Sequence, residues 1–157
     1  MKITLITVGK TDERFLQEGI DKYLGRLKHY VRFSLVEIPD IRNSKNLSED
    51  QQKAFEGEKI LKLVSPGDHL VLLDEKGREM SSESFATYLN KKMLASVSHL
   101  IFVVGGPYGF SPEVRNRANE LLSLSQMTFS HQMIRLFFTE QVYRAFTILK
   151  GEPYHHA

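Results

Sequence analysis

The residue types that can carry chemistry gather in the last third of the chain. Gly105-Gly106-Pro107-Tyr108-Gly109 follows the apolar run His99–Val104 and precedes Ser111-Pro112-Glu113. Glycines at such a junction let backbone amides approach a ligand and permit positive φ; a tight turn that redirects the chain is the alternative reading. Ser123–Gln132 mixes apolar anchors with hydroxyls and amides and contains no Asp, Glu, Lys or Arg. Such a loop can hold a neutral ring between apolar walls and backbone groups, or it is a plain connection in which Ser130 caps the next helix. Arg135, Glu140 and Arg144 then interrupt an apolar helical pattern. Glu140 and Arg144 have the four-residue spacing of a surface ion pair. Three of the six histidines, His131, His155 and His156, fall in the last 27 residues, and the chain ends Gly151-Glu152-Pro153-Tyr154-His155-His156-Ala157. That end is either a frayed tail or a segment folded back over a site.

The same inventory excludes several classes. With no cysteine there is no disulfide framework, Cys-ligated zinc or thiol nucleophile. No G-x-G-x-x-G, no phosphate loop and no G-x-S-x-G elbow occurs, which disfavours dinucleotide enzymes, the common nucleotide triphosphatases and α/β-hydrolases. No histidine spacing makes a metal site; His29, His69 and His99 stand at element edges and read as surface residues. Asp74, at the end of Leu72-Leu73-Asp74, reads first as a turn cap. The formal charge of +2 on 157 residues is too small for a broad basic face. The length suits one domain, residues 1–157. No run approaches the roughly 20 apolar residues of a membrane span, and no signal peptide is visible, so a cytoplasmic protein is expected.

The elements that must position these residues alternate. Lys2–Val8 is a β-branched strand ending at Gly9, and Asp12–His29 carries Leu16, Ile20, Tyr23, Leu24 and Leu27 at helical spacing. Phe33–Ile38 is a second strand, Asp40–Leu47 a loop, and Ser48 starts a helix continuing through Val64. His69–Asp74 is a strand followed by a turn at Glu75-Lys76-Gly77-Arg78. Ser81 or Ser82 caps a third helix to about Ala95, and His99–Val104 is the most apolar strand. Ser111-Pro112-Glu113 opens a further helix, Leu121–Leu124 a short strand, and His131–Lys150 a long helix. Strands separated by helices imply an α/β fold with a mainly parallel sheet flanked by helices. Ligands of such sheets sit beyond the carboxyl ends of the strands.

Four ordered motifs add a resemblance. They are Ile101–Gly109, Leu124-Ser125-x-Met127-Thr128-Phe129-x-His131, Glu140-Gln141-x-Tyr143-Arg144-Ala145 and Pro153-Tyr154-His155; the opening Lys2-Ile3-x-Leu5-x-x-Val8-Gly9-Lys10 fits too. Together they resemble the SPOUT-class methyltransferases, and within them the bacterial 23S rRNA pseudouridine-N3-methyltransferases, over essentially the whole chain. The resemblance implies a SPOUT (α/β-knot) fold with a deep C-terminal trefoil knot, a homodimer, and S-adenosylmethionine as cofactor. It implies cofactor contacts at Leu73, Gly105, Leu124, Ser125, Gln126, Met127, Thr128 and Phe129. The mechanism that follows has His155 as proton acceptor, Arg144 holding a base carbonyl or phosphate and steadying negative charge, and Tyr154 stacking on or hydrogen-bonding the base. The implied partner is 23S rRNA in the large subunit or whole ribosome, with no metal and no membrane. A non-catalytic ribosome-associated RNA-binding protein of the same fold is the alternative. Ser130 and His156 depart from the family pattern, where proline and a basic residue are frequent.

Overall fold

The computed structural model describes residues 1–42 and 44–156. Five strands form one all-parallel sheet: β1 (Lys2–Val8), β2 (Arg32–Ile38), β3 (His69–Glu79), β4 (His99–Val104) and β5 (Glu120–Ser123), in the spatial order β2-β1-β4-β3-β5. The helices between them are α1 (Arg14–Leu27), α2 (Glu49–Lys62), α3 (Ser82–Leu94), α4 (Pro112–Arg117) and α5 (Met133–Leu149), with a 3-10 turn at Ser44–Asn46.

The sheet is buried on both faces, which is why β1 and β4 read as nearly continuous apolar runs. Ile3, Leu5, Phe102 and Val104 face α1, α3 and α5, while Ile6, Ile101, Val103 and Leu72 face α2 and α4. Phe102 and Phe138 meet at 4.7 Å between ring centroids at the centre of the first core. Helix starts follow the sequence closely. Ser48 and Gln51 form a reciprocal capping box, Ser81 rather than Ser82 caps α3, and Ser111 caps α4 with Pro112 at its first position.

Several boundaries differ from the sequence expectation. The α1 and α5 helices are shorter at both ends than Asp12–His29 and His131–Lys150, and β5 lies one residue earlier than Leu121–Leu124. The main difference is β3, which does not stop at Asp74 and turn at 75–78 but runs on to Glu79. Leu122 of β5 is the parallel partner of both Leu73 and Arg78. A strand residue has only two edges, so β3 passes from one edge of β5 to the other between these residues. It crosses at Gly77, where a Cβ would stand 2.5 Å from Leu122 N and 2.6 Å from Leu121 C. Backbone lies on backbone there, and only glycine fits. Because every strand is parallel, the ends of β1, β3, β4 and β5 open toward one side of the sheet, where the loops that could bind a ligand converge.

Candidate functional site

The loop after β4 enters this side. Gly109 has φ +84, and its N–H donates to the Gly106 carbonyl at 3.1 Å, closing a tight turn. The same loop is clamped from both faces: a Cβ on Gly105 would meet the Phe110 ring at 3.1 Å, and one on Gly106 would meet Glu56 Oε1 at 2.6 Å. The positive φ favours glycine at 109, and at 105 and 106 a side chain would have to displace the Phe110 ring or the Glu56 carboxyl group. Glu56 is only 4% exposed, and burial raises its pKa above the ordinary carboxylate value, opposed by the hydrogen bond from Gln52.

The loop after β5 completes the other wall. Ser123 Oγ donates to the Ser125 carbonyl at 2.9 Å, and Ser125 Oγ accepts from Met127 N at 2.9 Å. Ser130 Oγ accepts from Met133 N at 3.0 Å, so it caps α5 from three residues upstream. Between the two loops lies a cavity of about 470 Å³. Leu73, Gly105, Leu124, Ser125, Met127, Thr128 and Phe129 line it, while Gln126 does not. Asp74 and Arg115 also border it, paired at 2.9 Å, and Asp74 Oδ1 accepts from Lys76 N. Asp74 therefore stands on the cavity wall within β3, where the expected turn does not form.

The tail is ordered by the end of α5. Glu152 N–H donates to Thr147 O at 2.9 Å and Gly151 N–H to Ile148 O at 3.0 Å, with Gly151 at φ +68. This Schellman arrangement turns the chain back along α5. The Tyr154 hydroxyl donates to Glu140 Oε1 at 2.9 Å and stands 3.1 Å from the Tyr23 hydroxyl. Burial and these contacts push the Tyr154 pKa up. Arg144 Nη2 donates to Glu140 Oε1 at 2.6 Å, and its guanidinium lies 4.8 Å from the Tyr154 ring centroid. Hydrogen bonding to Glu140 raises the Arg144 pKa. His155 lies between Arg144, whose Nη1 is 3.1 Å from Nδ1, and Glu83, whose Oε1 is 2.8 Å from Nε2. Contact with His155 lowers the Glu83 pKa.

The seven cavity residues thus come together, and so do His155, Arg144 and Tyr154. Within one chain, His155, Arg144 and Tyr154 are not among the described residues that line this cavity. A smaller cavity of about 180 Å³, bordered by Ser82, Phe137 and Gln141, shares Leu122, Leu124 and Phe129 with the larger one.

Sequence reasoning missed Glu83, because one acid in the first turn of a helix signals only a dipole partner. Arg135, which interrupts the apolar pattern of α5, does not line the cavity. The side chain is fully buried, donating to the carbonyls of Val8 (2.8 Å), Gly9 (2.9 Å) and His131 (3.0 Å) and to Thr11 Oγ1 (3.1 Å). Burial lowers its pKa, countered by Glu37, Asp12 and Asp40. It is a clamp between the end of β1 and α5. His69 and His99 are not surface groups either: His69 contacts Glu120 at 2.8 Å and His99 contacts Thr4 at 2.7 Å. Among the described residues no cluster of three or more His, Cys, Asp or Glu could hold a metal ion, and no helix is long and apolar enough to cross a membrane.

Comparison with known proteins adds independent information. A family model described as "Predicted SPOUT methyltransferase" matches residues 1–155. The chain is 62% identical over 156 residues to the ribosomal RNA large subunit methyltransferase H of Parabacteroides distasonis, covering 99% of both proteins. It is 58% and 56% identical, with the same coverage, to the proteins of that name from Christiangramia forsetii and Porphyromonas gingivalis. A probable methylase family protein from Haemophilus influenzae Rd KW20 matches 99% of this chain and 70% of its own, at a TM-score of 0.53 and 13% identity, a likeness of fold.

Proposed function

The chain belongs to the SPOUT methyltransferase family, and from that premise we propose that it methylates N3 of a pseudouridine in 23S rRNA, using S-adenosylmethionine, on the large subunit or whole ribosome. The observation that carries this reading is a cofactor-sized cavity in the same chain as an ordered Tyr-His-Arg cluster, the whole chain being similar along its length to rRNA methyltransferases. The proposed setting is the cytoplasm.

The cavity suits the cofactor. Its volume falls within the roughly 300–1,000 Å³ of small-molecule sites, and its walls combine glycine backbone, the Ser125 and Thr128 hydroxyls and the apolar Leu73, Leu124 and Ile134. These residues would hold the cofactor, which when bound supplies an electrophilic methyl group. The Asp74–Arg115 pair offers charges for its ionic end.

The chain's own task is to remove the imide proton of the base and steady the anion. Arginine can only donate, so His155 Nδ1 accepts from Arg144 and Nε2 carries the proton shared with Glu83. For Nδ1 to take the substrate proton, Arg144 must leave it. The released guanidinium N–H can then reach a base carbonyl, where negative charge develops. Glu83 steadies the imidazolium that results. One exchange of partners thus frees the base and delivers the electrostatic support, while Tyr154 offers a ring face to the nucleobase.

The proposed enzyme is a homodimer of single domains, residues 1–157, in which the tail of one copy serves the cavity of the other. The separation of tail and cavity within one chain supports this, as do the exposed Met127 and Phe137 (78% and 41%), which border the larger and the smaller cavity. The crossing of β3 over β5 at Gly77 supports the knotted topology, which is otherwise rare.

The test is mass spectrometry of 23S rRNA from cells lacking the protein, followed by repair in vitro with purified protein and labelled S-adenosylmethionine. Loss and recovery of one methylated pseudouridine is the expected result. Persistence of every such methyl group after deletion would sink the reading and favour a non-catalytic ribosome binder.

A further inference from the structure

Two cations near the tail have no use in the mechanism above. Arg26, in the last turn of α1, is half-buried and lies over two rings, 5.6 Å from the Tyr23 centroid and 5.4 Å from that of Tyr143. Lys150, at the end of α5, lies 4.9 Å from the Tyr30 centroid. Neither is ion-paired to a described residue. The attraction of a helix C-terminus for cations explains a basic residue at position 26, but not its seat between tyrosines of two different helices.

The rings are contiguous. Tyr143 lies 5.8 Å from Tyr30, 5.8 Å from Tyr23 and 4.7 Å from Tyr154. A row of side chains therefore runs from Lys150 through Tyr30, Tyr143 and Arg26 to Tyr154, Arg144 and His155. The carboxylates that touch it are already engaged: Glu140 by Arg144 and Tyr154, Glu83 by His155, and Glu152 by the Tyr30 hydroxyl, whose pKa rises to about 12 chiefly through that bond. Charge is also concentrated beside it. Lys22, Arg26, Lys28 and Arg32 occur with no acid between Asp21 and Glu37, in a chain whose overall formal charge is only +2.

We infer that Arg26 and Lys150, each held over tyrosine rings, bind backbone phosphates of the RNA strand that flanks the target nucleotide. This rests on the rRNA methyltransferase reading and extends it to the polynucleotide around the reacting base. Cation–π contacts keep the two side chains extended and in place without consuming their N–H donors, so little ordering cost remains when a phosphate arrives. Aromatic rings interleaved with cations suit a single strand, whose bases can stack where its phosphates are neutralised. A chain without a broad basic face would in this way concentrate its electrostatic attraction at the tail.

The test compares wild type with the double variant R26Q/K150Q, measuring affinity for ribosomes that lack the modification between 50 and 200 mM salt. Two lost single-strand phosphate contacts, at about 0.7 each, should flatten the slope of log K against log salt by about 1.4. R26K/K150R, which keeps both charges, should retain the wild-type slope. Affinity for S-adenosylmethionine, measured by calorimetry, checks that the variants are folded. An unchanged slope in R26Q/K150Q would overturn the inference, as would a shift from dimer to monomer on sedimentation, which would assign these residues to the subunit contact. Wild-type protein that transfers no methyl group to rRNA would instead overturn the functional reading itself.

Discussion

Glu56 of α2 lies against Gly106 of the loop after β4, its Oε1 2.6 Å from where a Cβ would be. A buried carboxyl group thus supports one wall of the proposed cofactor site. Its pKa is raised from 4.5, chiefly by burial. A group of this kind contributes stability below its unfolded pKa, and that contribution is lost as pH rises through the folded value. Glu56→Gln cannot ionise, so its melting temperature should match wild type near pH 4, gain on it as pH rises above the ordinary carboxylate range, and keep a constant lead once the folded group has ionised. Parallel melting curves from near pH 4 toward pH 8 would refute the raised pKa.

The neighbouring glycine gives a binding prediction. Gly106→Ala must displace the Glu56 carboxyl group, and affinity for S-adenosylmethionine should fall about tenfold, equivalent to about 1.4 kcal/mol. Calorimetry reads this directly. Wild-type affinity would mean that the loop is not part of the cofactor site.

His155→Ala should lower the single-turnover methylation rate at saturating cofactor by about 100-fold or more, the usual scale of general acid–base catalysis. Glu83→Gln should cost less, because Nδ1 keeps its acceptor role while only the support of Nε2 is weakened. A His155→Ala enzyme with the wild-type single-turnover rate would remove this residue from the chemistry.

Arg135→Met should destabilise the fold by about 3 kcal/mol or more, because it leaves the carbonyls of Val8, Gly9 and His131 without their donor. Urea denaturation measures the loss. A change below about 0.5 kcal/mol, as at an ordinary surface site, would show that the clamp is dispensable.

Gly77→Ala and Gly25→Ala should move stability in opposite directions. At Gly77 the added methyl meets the backbone of Leu121 and Leu122, and about 1–3 kcal/mol should be lost. At Gly25, inside α1, nothing lies within 4 Å, and removing a helical glycine should gain about 0.5–1 kcal/mol. Thermal unfolding of the two variants side by side decides it.

What was legible in the sequence was local. β1 and β4 show as β-branched runs because both sheet faces are covered, and the serine caps at 48, 81 and 111 show because they act within three residues. The continuation of β3 was not legible. Glu75-Lys76-Gly77-Arg78 has turn composition, and the need for glycine comes from a backbone some 45 residues further on. The role of Arg135 was not legible either: besides the His131 carbonyl four residues back, its acceptors lie at the end of β1 and just beyond it, up to 127 residues away. The family motifs identified most of the cavity wall, but not the seating of Tyr154 against Tyr23 or of His155 against Glu83. Those contacts join the tail to α1 and α3 across 131 and 72 residues.

The path of β3 has a further consequence for how the molecule behaves among its copies. In the order β2-β1-β4-β3-β5, β5 would ordinarily be a terminal strand with a free row of N–H and C=O groups, a template for pairing with another chain. Arg78 and Glu79 already occupy that side at Leu122 and Ser123. At the opposite border, β2, the ladder begins at Arg32 and nears its end at Glu37, both exposed charges. The crossing that shapes the proposed cofactor site thus also protects the sheet against edge-to-edge aggregation.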